Sequence, residues 1–380
     1  MLVRRGTKRE TRGGVVAGRT LWKFENCSLQ CKIENKVARL FTTHPLSLQT
    51  EYSELKRLAQ EQHSVFVGTP GSVTIRTVTG RGFYYRQYYD PNGKKAADYI
   101  GPVGADEAER AAQTTSERIE EANALLARAR ILARAGYARV DSRTDAILSA
   151  LFDNGLFEAG TVLVGSHAYG ALLNELGVRA AGYATNDVDL ARPRSLALPE
   201  PRSFEEMLKD SGLELLPVSQ FGKKPPTSFK PAGADPLRID LLAPTRRTSI
   251  GVLAIPELSA HATALPHFAW LLEHVEHSVV LGKSSVIPVN VPRPEIFAWH
   301  KMVLSQLRSR SRDKVQKDRM QAAVLFAALA ALEPSALEAS YSGLSRPTRS
   351  LVKASARHVA ERLMTSKHES AAALLQELAG

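Results

Sequence analysis

Cysteine is scarce in this chain, with 2 among 380 residues, Cys27 and Cys31. Two thiols four positions apart cannot frame a fold with disulfides, so the expected setting is a reducing cytoplasm. With no second pair to complete a ligand set, they do not make a zinc site. Long apolar runs are also missing. The longest stretches, such as Ala322 to Leu332, fall short of the roughly 20 residues that a membrane-spanning helix needs, and no membrane partner is expected. The opening Met1-Leu2-Val3-Arg4-Arg5-Gly6 lacks the apolar core of a secretory signal. Two catalytic motifs fail on a missing glycine. Leu281-Gly282-Lys283-Ser284 ends like a P-loop, but the glycine required five places before Gly282 is His277. Ser166 would need glycines on both sides to be a hydrolase nucleophile, and those positions are Val164 and Ala168. His261, His267, His274 and His277 lack acidic partners at zinc-ligand spacing and read as helix-surface or core histidines.

What is present has ordinary globular proportions, 44% hydrophobic and 23% charged, with room for two or three domains. The net charge of +11 is unevenly spread. Residues 1–45 carry ten Lys/Arg against three Asp/Glu, leaving +4 for the remainder. Residues 1–46 therefore read as a basic tail, either a disordered nucleic-acid-binding arm or an extension upstream of the native start. Residues 47–140 read as a helix, a β-meander and a long helix, 141–293 as a catalytic domain, and 294–380 as a helical domain.

Within the second segment, Glu51–Gln60 reads as a helix and Ser72–Val78 alternates as a strand. Gly80-Arg81-Gly82 marks a turn, Phe83–Tyr89 a second strand, and Asp90-Pro91-Asn92-Gly93 another turn before a third strand from Lys94 to Ile100. Arg76, Arg81 and Arg86 interleave there with tyrosines including Tyr84 and Tyr88. That mixture suits nucleic-acid contact through stacking and phosphate pairing, or equally aromatics packed on a neighbouring helix. Ala105–Ala135 reads as a helix closed by Gly136, and Asp141 or Ser142 caps a further helix through Phe152.

Beyond lies the chemistry. Thr161-Val162-Leu163-Val164 reads as a buried strand running into Gly165-Ser166. Asp187 and Asp189 follow in Asn-Asp-Val-Asp-Leu, and residues two apart on a strand point the same way. Asp240 sits alone among Leu237, Ile239, Leu241 and Leu242, where a carboxylate is costly without a partner. A neighbouring strand would bring it beside the pair. Three gathered carboxylates repel unless a cation lies between them, and magnesium commonly takes one or two carboxylates plus substrate phosphates.

On Gly165, Ser166, Asp187, Asp189 and Asp240 the chain resembles nucleotidyltransferases of the DNA polymerase β superfamily. Over roughly residues 50 to 330, with Tyr99-Ile100-Gly101-Pro102 and Thr185-Asn186-Asp187-Val188-Asp189, it is similar to a bacterial group called the GSU2403-type nucleotidyltransferase-fold family. The resemblance implies an α+β fold with a polymerase-β-type mixed-sheet core, an N-terminal β-meander with a long helix, and a C-terminal helical region. It implies that Gly165 and Ser166 hold the triphosphate of an NTP co-substrate beside Thr185. Asp187 and Asp189 would bind two Mg2+ ions, and Asp240 would ligate metal or help deprotonate the acceptor.

Downstream, Pro294 starts a helix, and Lys301, Arg308, Arg310, Arg312, Lys314 and Lys317 form a basic series. The resemblance matches His300, Lys301, Lys317 and Asp318 to a His-Lys and a Lys-Asp pair beside the cleft. Lys301 is the candidate for triphosphate contact, and Lys314 or Lys317 for neutralising pyrophosphate. Lys223, Lys224 and Lys230, in a Pro- and Gly-rich loop over Phe221–Pro236, are candidates for acceptor contact. The expected acceptor is an RNA end. A protein hydroxyl, as in toxins of toxin–antitoxin pairs with an antitoxin partner, and a catalytically silent nucleic-acid binder are the alternatives.

Overall fold

The computed structural model describes residues 39–181, 185–220, 222, 224–308 and 311–380. The expectations for the basic tail up to residue 38, for Cys27 and Cys31, and for Lys223 and Arg310 lie outside the described residues. In chain order the elements begin with β1 (Phe41–Thr43), α1 (Leu46–Gln60), β2 (Ser72–Val78), β3 (Arg81–Tyr89), β4 (Lys95–Pro102), α2 (Asp106–Arg134) and α3 (Ser142–Asp153). Then come β5 (Val162–Val164), α4 (Gly165–Glu175), β6 (Val178–Ala180), β7 (Asp187–Ala191), α5 (Phe204–Lys209), β8 (Leu215–Pro217), β9 (Ser228–Pro231) and β10 (Arg238–Pro244). The last third holds β11 (Gly251–Ile255), β12 (Ala260–Leu265), α6 (Ala269–Glu273), β13 (Val275–Leu281), β14 (Val286–Pro292), α7 (Pro294–Leu307), α8 (Arg312–Leu332), α9 (Pro334–Ser342), α10 (Arg346–Thr365) and α11 (Glu369–Ala379).

The site is built on a mixed sheet ordered β11-β12-β10-β7-β5, with the β8–β9 hairpin joined to β10. The β7 and β10 strands run parallel, whereas β5 and β9 are antiparallel to their neighbours. Their apolar residues are nearly all interior, Val188, Leu190, Ile239 and Leu241 among them. Alternation therefore sends the intervening Asp187, Asp189 and Asp240 to the opposite face. The same core continues into the C-terminal helices, where Trp299, Phe326 and Val359 join the cluster that contains Leu163 and Leu190. The boundary read at 293/294 thus crosses one core, and all described residues fall in a single compact unit.

Ahead of the sheet, β2, β3 and β4 form a separate antiparallel meander. Its first turn falls at Thr79 and Gly80, both with positive φ, one position earlier than the glycine pair suggests. On one side α2 covers it. This helix has Asp106, Glu107 and Glu109 in its first turn and Arg134 in its last, charges that oppose the helix dipole. Its stripe of Ala108, Ala112, Ile119, Leu126 and Leu132 is buried.

Some expectations change. Residues 41–43, read as tail, pair with β6, because three residues are too few to display alternation. Part of the expected Phe221–Pro236 loop is strand β9, which pairs with β8 and β10 and carries Lys230. Its neighbouring prolines masked the strand pattern. His261 and His277 lie on β12 and β13 rather than on helices, and His277 Nδ1 is 2.8 Å from Asn290 Oδ1.

Candidate active site

The β5 strand ends at Val164, and Gly165 starts α4 with φ +68, a conformation costly for any residue with a side chain. Close packing adds a second constraint, since a Cβ at Gly165 would collide with the Asp189 carboxylate. The N-cap residue, Val164, offers no side-chain cap, so the first backbone N–H groups of the helix are left for an anion. Ser166 occupies that first turn and is partly exposed.

The parallel pairing of β7 with β10 sets Asp189 opposite Asp240 and Asp187 opposite Arg238. All four side chains share one face of the sheet. Burial, with the charges of Asp240 and Asp187, pushes the Asp189 carboxyl up to about 6. Two cations already serve this cluster. Arg238 donates from Nε to Asp240 Oδ1 at 2.8 Å and from its guanidinium to Ser228 Oγ at 2.7 Å. From α8, Lys317 faces the pair: burial lowers its ammonium pKa, while Asp187, Asp318 and Asp189 pull it back up. Thr185 Oγ1 accepts weakly from the Asp187 backbone N–H at 3.4 Å.

Among the described residues no group of three or more His, Cys, Asp or Glu side chains is arranged to hold a metal ion. The fit for magnesium rests on Asp187 and Asp189, two hard carboxylate donors on one face with a carboxyl that resists ionisation, and phosphates can supply further oxygens. Asp240 lies beside them with one oxygen engaged by Arg238.

The helical lysines divide. Lys301 Nζ is buried and lies 3.1 Å from Asp318 Oδ1, and Arg308 holds the other oxygen at 2.9 Å. This corrects the expectation that Lys301 reaches a triphosphate, because its charge is spent inside the protein on Asp318. Its neighbour His300 is buried, and desolvation pushes its pKa down to about 3, so the ring is neutral. Lys314 is exposed one helical turn before Lys317.

The meander residues divide as well. Arg86 is 8% exposed and bonds the carbonyls of Pro70 and Thr69 and the Asp98 carboxylate. Its guanidinium is sandwiched by the rings of Phe66 and Tyr88, 4.2 and 3.9 Å from their centroids. Arg86 is thus held in an internal clasp and withdrawn from nucleic-acid contact, since strand alternation turns it toward α2, while Tyr88 on the same face is partly exposed. Tyr84, on that same face, is partly buried, whereas Arg76 and Arg81 are exposed on the other face.

Sequence reading passed over His167, next to Ser166. A cavity of about 250 Å³ is lined by Arg139, Asp141, Ser166, His167 and Thr185. His167 Nε2 is buried with no hydrogen-bond partner among the described residues. Burial pushes its pKa down to about 4, so a neutral imidazole borders the Gly-Ser turn. Position directly after the serine was the available signal.

The sequence model of a family described as Nucleotidyltransferase matches residues 142–345. That span holds Gly165, Ser166, His167, Thr185, the three aspartates, Arg238 and the helical lysines, together with the whole β5–β14 scaffold, but not Arg139, Asp141 or the meander. No curated protein and no solved structure matches the chain.

Proposed function

The chain belongs to the nucleotidyltransferase family, and from that premise we propose that it moves a nucleoside monophosphate from an NTP to an acceptor hydroxyl in a metal-dependent reaction. The observation that carries this reading is the pairing of β7 with β10, which brings Asp187, Asp189 and Asp240 to one face against the uncapped Gly165–Ser166 end of α4.

The acceptor oxygen forms a bond to the α-phosphorus. The bond from that phosphorus to the bridging oxygen breaks, and pyrophosphate leaves with the electron pair. Gly165 and Ser166 hold the β and γ phosphates through the backbone N–H groups of the first turn of α4. Asp187 and Asp189 supply magnesium ligands, with Asp240 as the third carboxylate. Magnesium held there by Asp187 and Asp189 would activate the acceptor oxygen and offset the charge of the leaving pyrophosphate. Asp240, freed from Arg238, takes the acceptor proton. Lys317, and at the rim Lys314, offsets the charge of the leaving group. The acceptor belonging to this reading is an RNA end, and the similarity to the GSU2403-type group is part of the same proposal.

Incubation with each α-labelled NTP, magnesium and bacterial RNA, resolved on a denaturing gel, tests the reading. Label enters RNA with the wild type and falls at least ~100-fold with Asp187→Asn/Asp189→Asn, whose circular dichroism stays native. Full transfer by that double variant would overturn the assignment. Label on protein instead of RNA would move the acceptor to a protein hydroxyl, as expected of a toxin-type enzyme with an antitoxin partner. No label anywhere, together with no metal-dependent NTP binding, would mark a catalytically silent nucleic-acid binder.

A further inference from the structure

The meander has a second face, and it is built differently from the one under α2. By strand alternation and register, Thr74, Arg76 and Val78 of β2 share this face with Arg81, Phe83, Tyr85, Gln87 and Tyr89 of β3 and with Lys95 and Tyr99 of β4. The rings are contiguous. Phe83 and Tyr99 have centroids 6.0 Å apart, and Tyr85 meets Tyr99 edge-on at 5.5 Å. The Arg76 guanidinium lies 5.1 Å from the centre of the Tyr85 ring. Tyr99 is 57% exposed and Tyr89 49%, and Arg76, Arg81 and Lys95 are exposed beside them. No carboxylate occurs among the strand residues of this face, because Asp98 points to the opposite side and pairs with Arg86.

A partly exposed aromatic cluster on a sheet, with cations and no carboxylate among the strand residues beside it, matches a polyanion that carries flat apolar rings. We propose that this face of the β2–β4 meander is a stacking platform for single-stranded RNA. Bases stack on Tyr85, Tyr99 and Phe83 while Arg76, Arg81 and Lys95 neutralise the backbone. Charge complementarity selects this occupant. An acceptor-side protein surface would gain from the rings but would have to bring carboxylates to three separate cations. A duplex hides its base faces and gains only the charge. The inference deepens the RNA-acceptor reading and rests on it for purpose, but binding at this face needs no chemistry at the aspartates.

Anisotropy of a labelled single-stranded RNA of about twelve nucleotides, titrated with the full chain, tests it, with a duplex RNA of equal length for comparison. The wild type binds the single strand more tightly than the duplex. Tyr85→Ala and Tyr99→Ala each weaken single-strand binding on the order of tenfold, and Tyr99→Phe, which keeps the ring, retains it. Arg81→Ala lowers the salt slope by about 0.7. Asp187→Asn binds as the wild type does, so failure of the platform and failure of the transfer reading are told apart. Wild-type affinity in a Tyr85→Ala/Tyr99→Ala variant that remains folded would overturn the proposal, placing any RNA elsewhere on the chain. Equal affinity for single strand and duplex, or no RNA binding, would overturn it as well, the latter leaving a protein partner as the occupant.

Discussion

At the scale of single residues, Gly165 and Asp189 constrain each other. The glycine holds φ +68, and any Cβ there meets the Asp189 carboxylate. Gly165→Ala is therefore expected to lose about 1–3 kcal/mol of stability and to abolish transfer, because Asp189 must turn away. Urea melts and the labelling assay check both, and a wild-type Ala variant would refute the close packing. Asp189 also sets a pH dependence. Its carboxyl, pushed up to about 6 by burial and by Asp240 and Asp187, is protonated below that pH, where a divalent cation would have to displace the proton. Affinity for Mn2+ should then fall about tenfold per pH unit below 6 and level off above it. Electron paramagnetic resonance titrations from about pH 5 to 7 read this directly, and a flat profile would contradict it. The Asp-x-Asp pair, Asp240 and the Gly-Ser turn were legible in the sequence because strand period places residues without tertiary knowledge. Arg238 was legible in principle, two positions before Asp240 on the same face, but its choice of carboxylate depended on how β10 meets β7.

At the scale of elements, the turn between β13 and β14 is tied to α3. Asp145 of α3 accepts from the Ser284 backbone N–H at 2.6 Å and from the Ser285 hydroxyl, beneath Gly282, where a Cβ would strike the carboxylate. The Gly-Lys-Ser sequence that resembles a P-loop thus serves as a tight turn around a buried acid. Desolvation pushes Asp145 up to about 6 from 3.8. The native state therefore keeps its proton between about pH 4 and 6 while the unfolded chain has released it. Stability is full below about pH 4 and falls as pH rises to 6, by about 3 kcal/mol in all. Asp145→Asn should flatten that part of the curve in urea denaturation. An unchanged slope would show that the buried acid does not titrate there. Helices α2, α3 and α7 were visible beforehand, since their caps and prolines are local signals. Strands β1 and β9 were not, being too short or too interrupted by proline to show a period.

At the scale of the whole molecule, one core joins the sheet that carries the aspartates to the C-terminal helices. The buried Lys301–Asp318 pair, joined from the surface by Arg308, fastens α7 to α8 within it. Breaking such a group leaves an unpaired buried charge, so its lysine belongs to the scaffold, while Lys317, one position from Asp318, turns to the carboxylates. Among the described residues no single helix is long and apolar enough to cross a membrane. The meander stands apart as its own sheet, with one face closed by α2 and the other open.

The sequence by itself determined the chemistry available: three carboxylates, a Gly-Ser turn and a family signature over residues 142–345. It also determined most helices, because caps, prolines and periodicity act over a few residues. Only the tertiary structure decided which charges meet. Strand pairing set Arg238 on Asp240, helix packing sent Lys301 inward and Lys317 to the site, and the covering of one meander face by α2 separated Arg86 and Tyr88 from Arg76, Tyr85 and Tyr99. Those choices depend on contacts between residues far apart in the chain, about which local pattern carries no information.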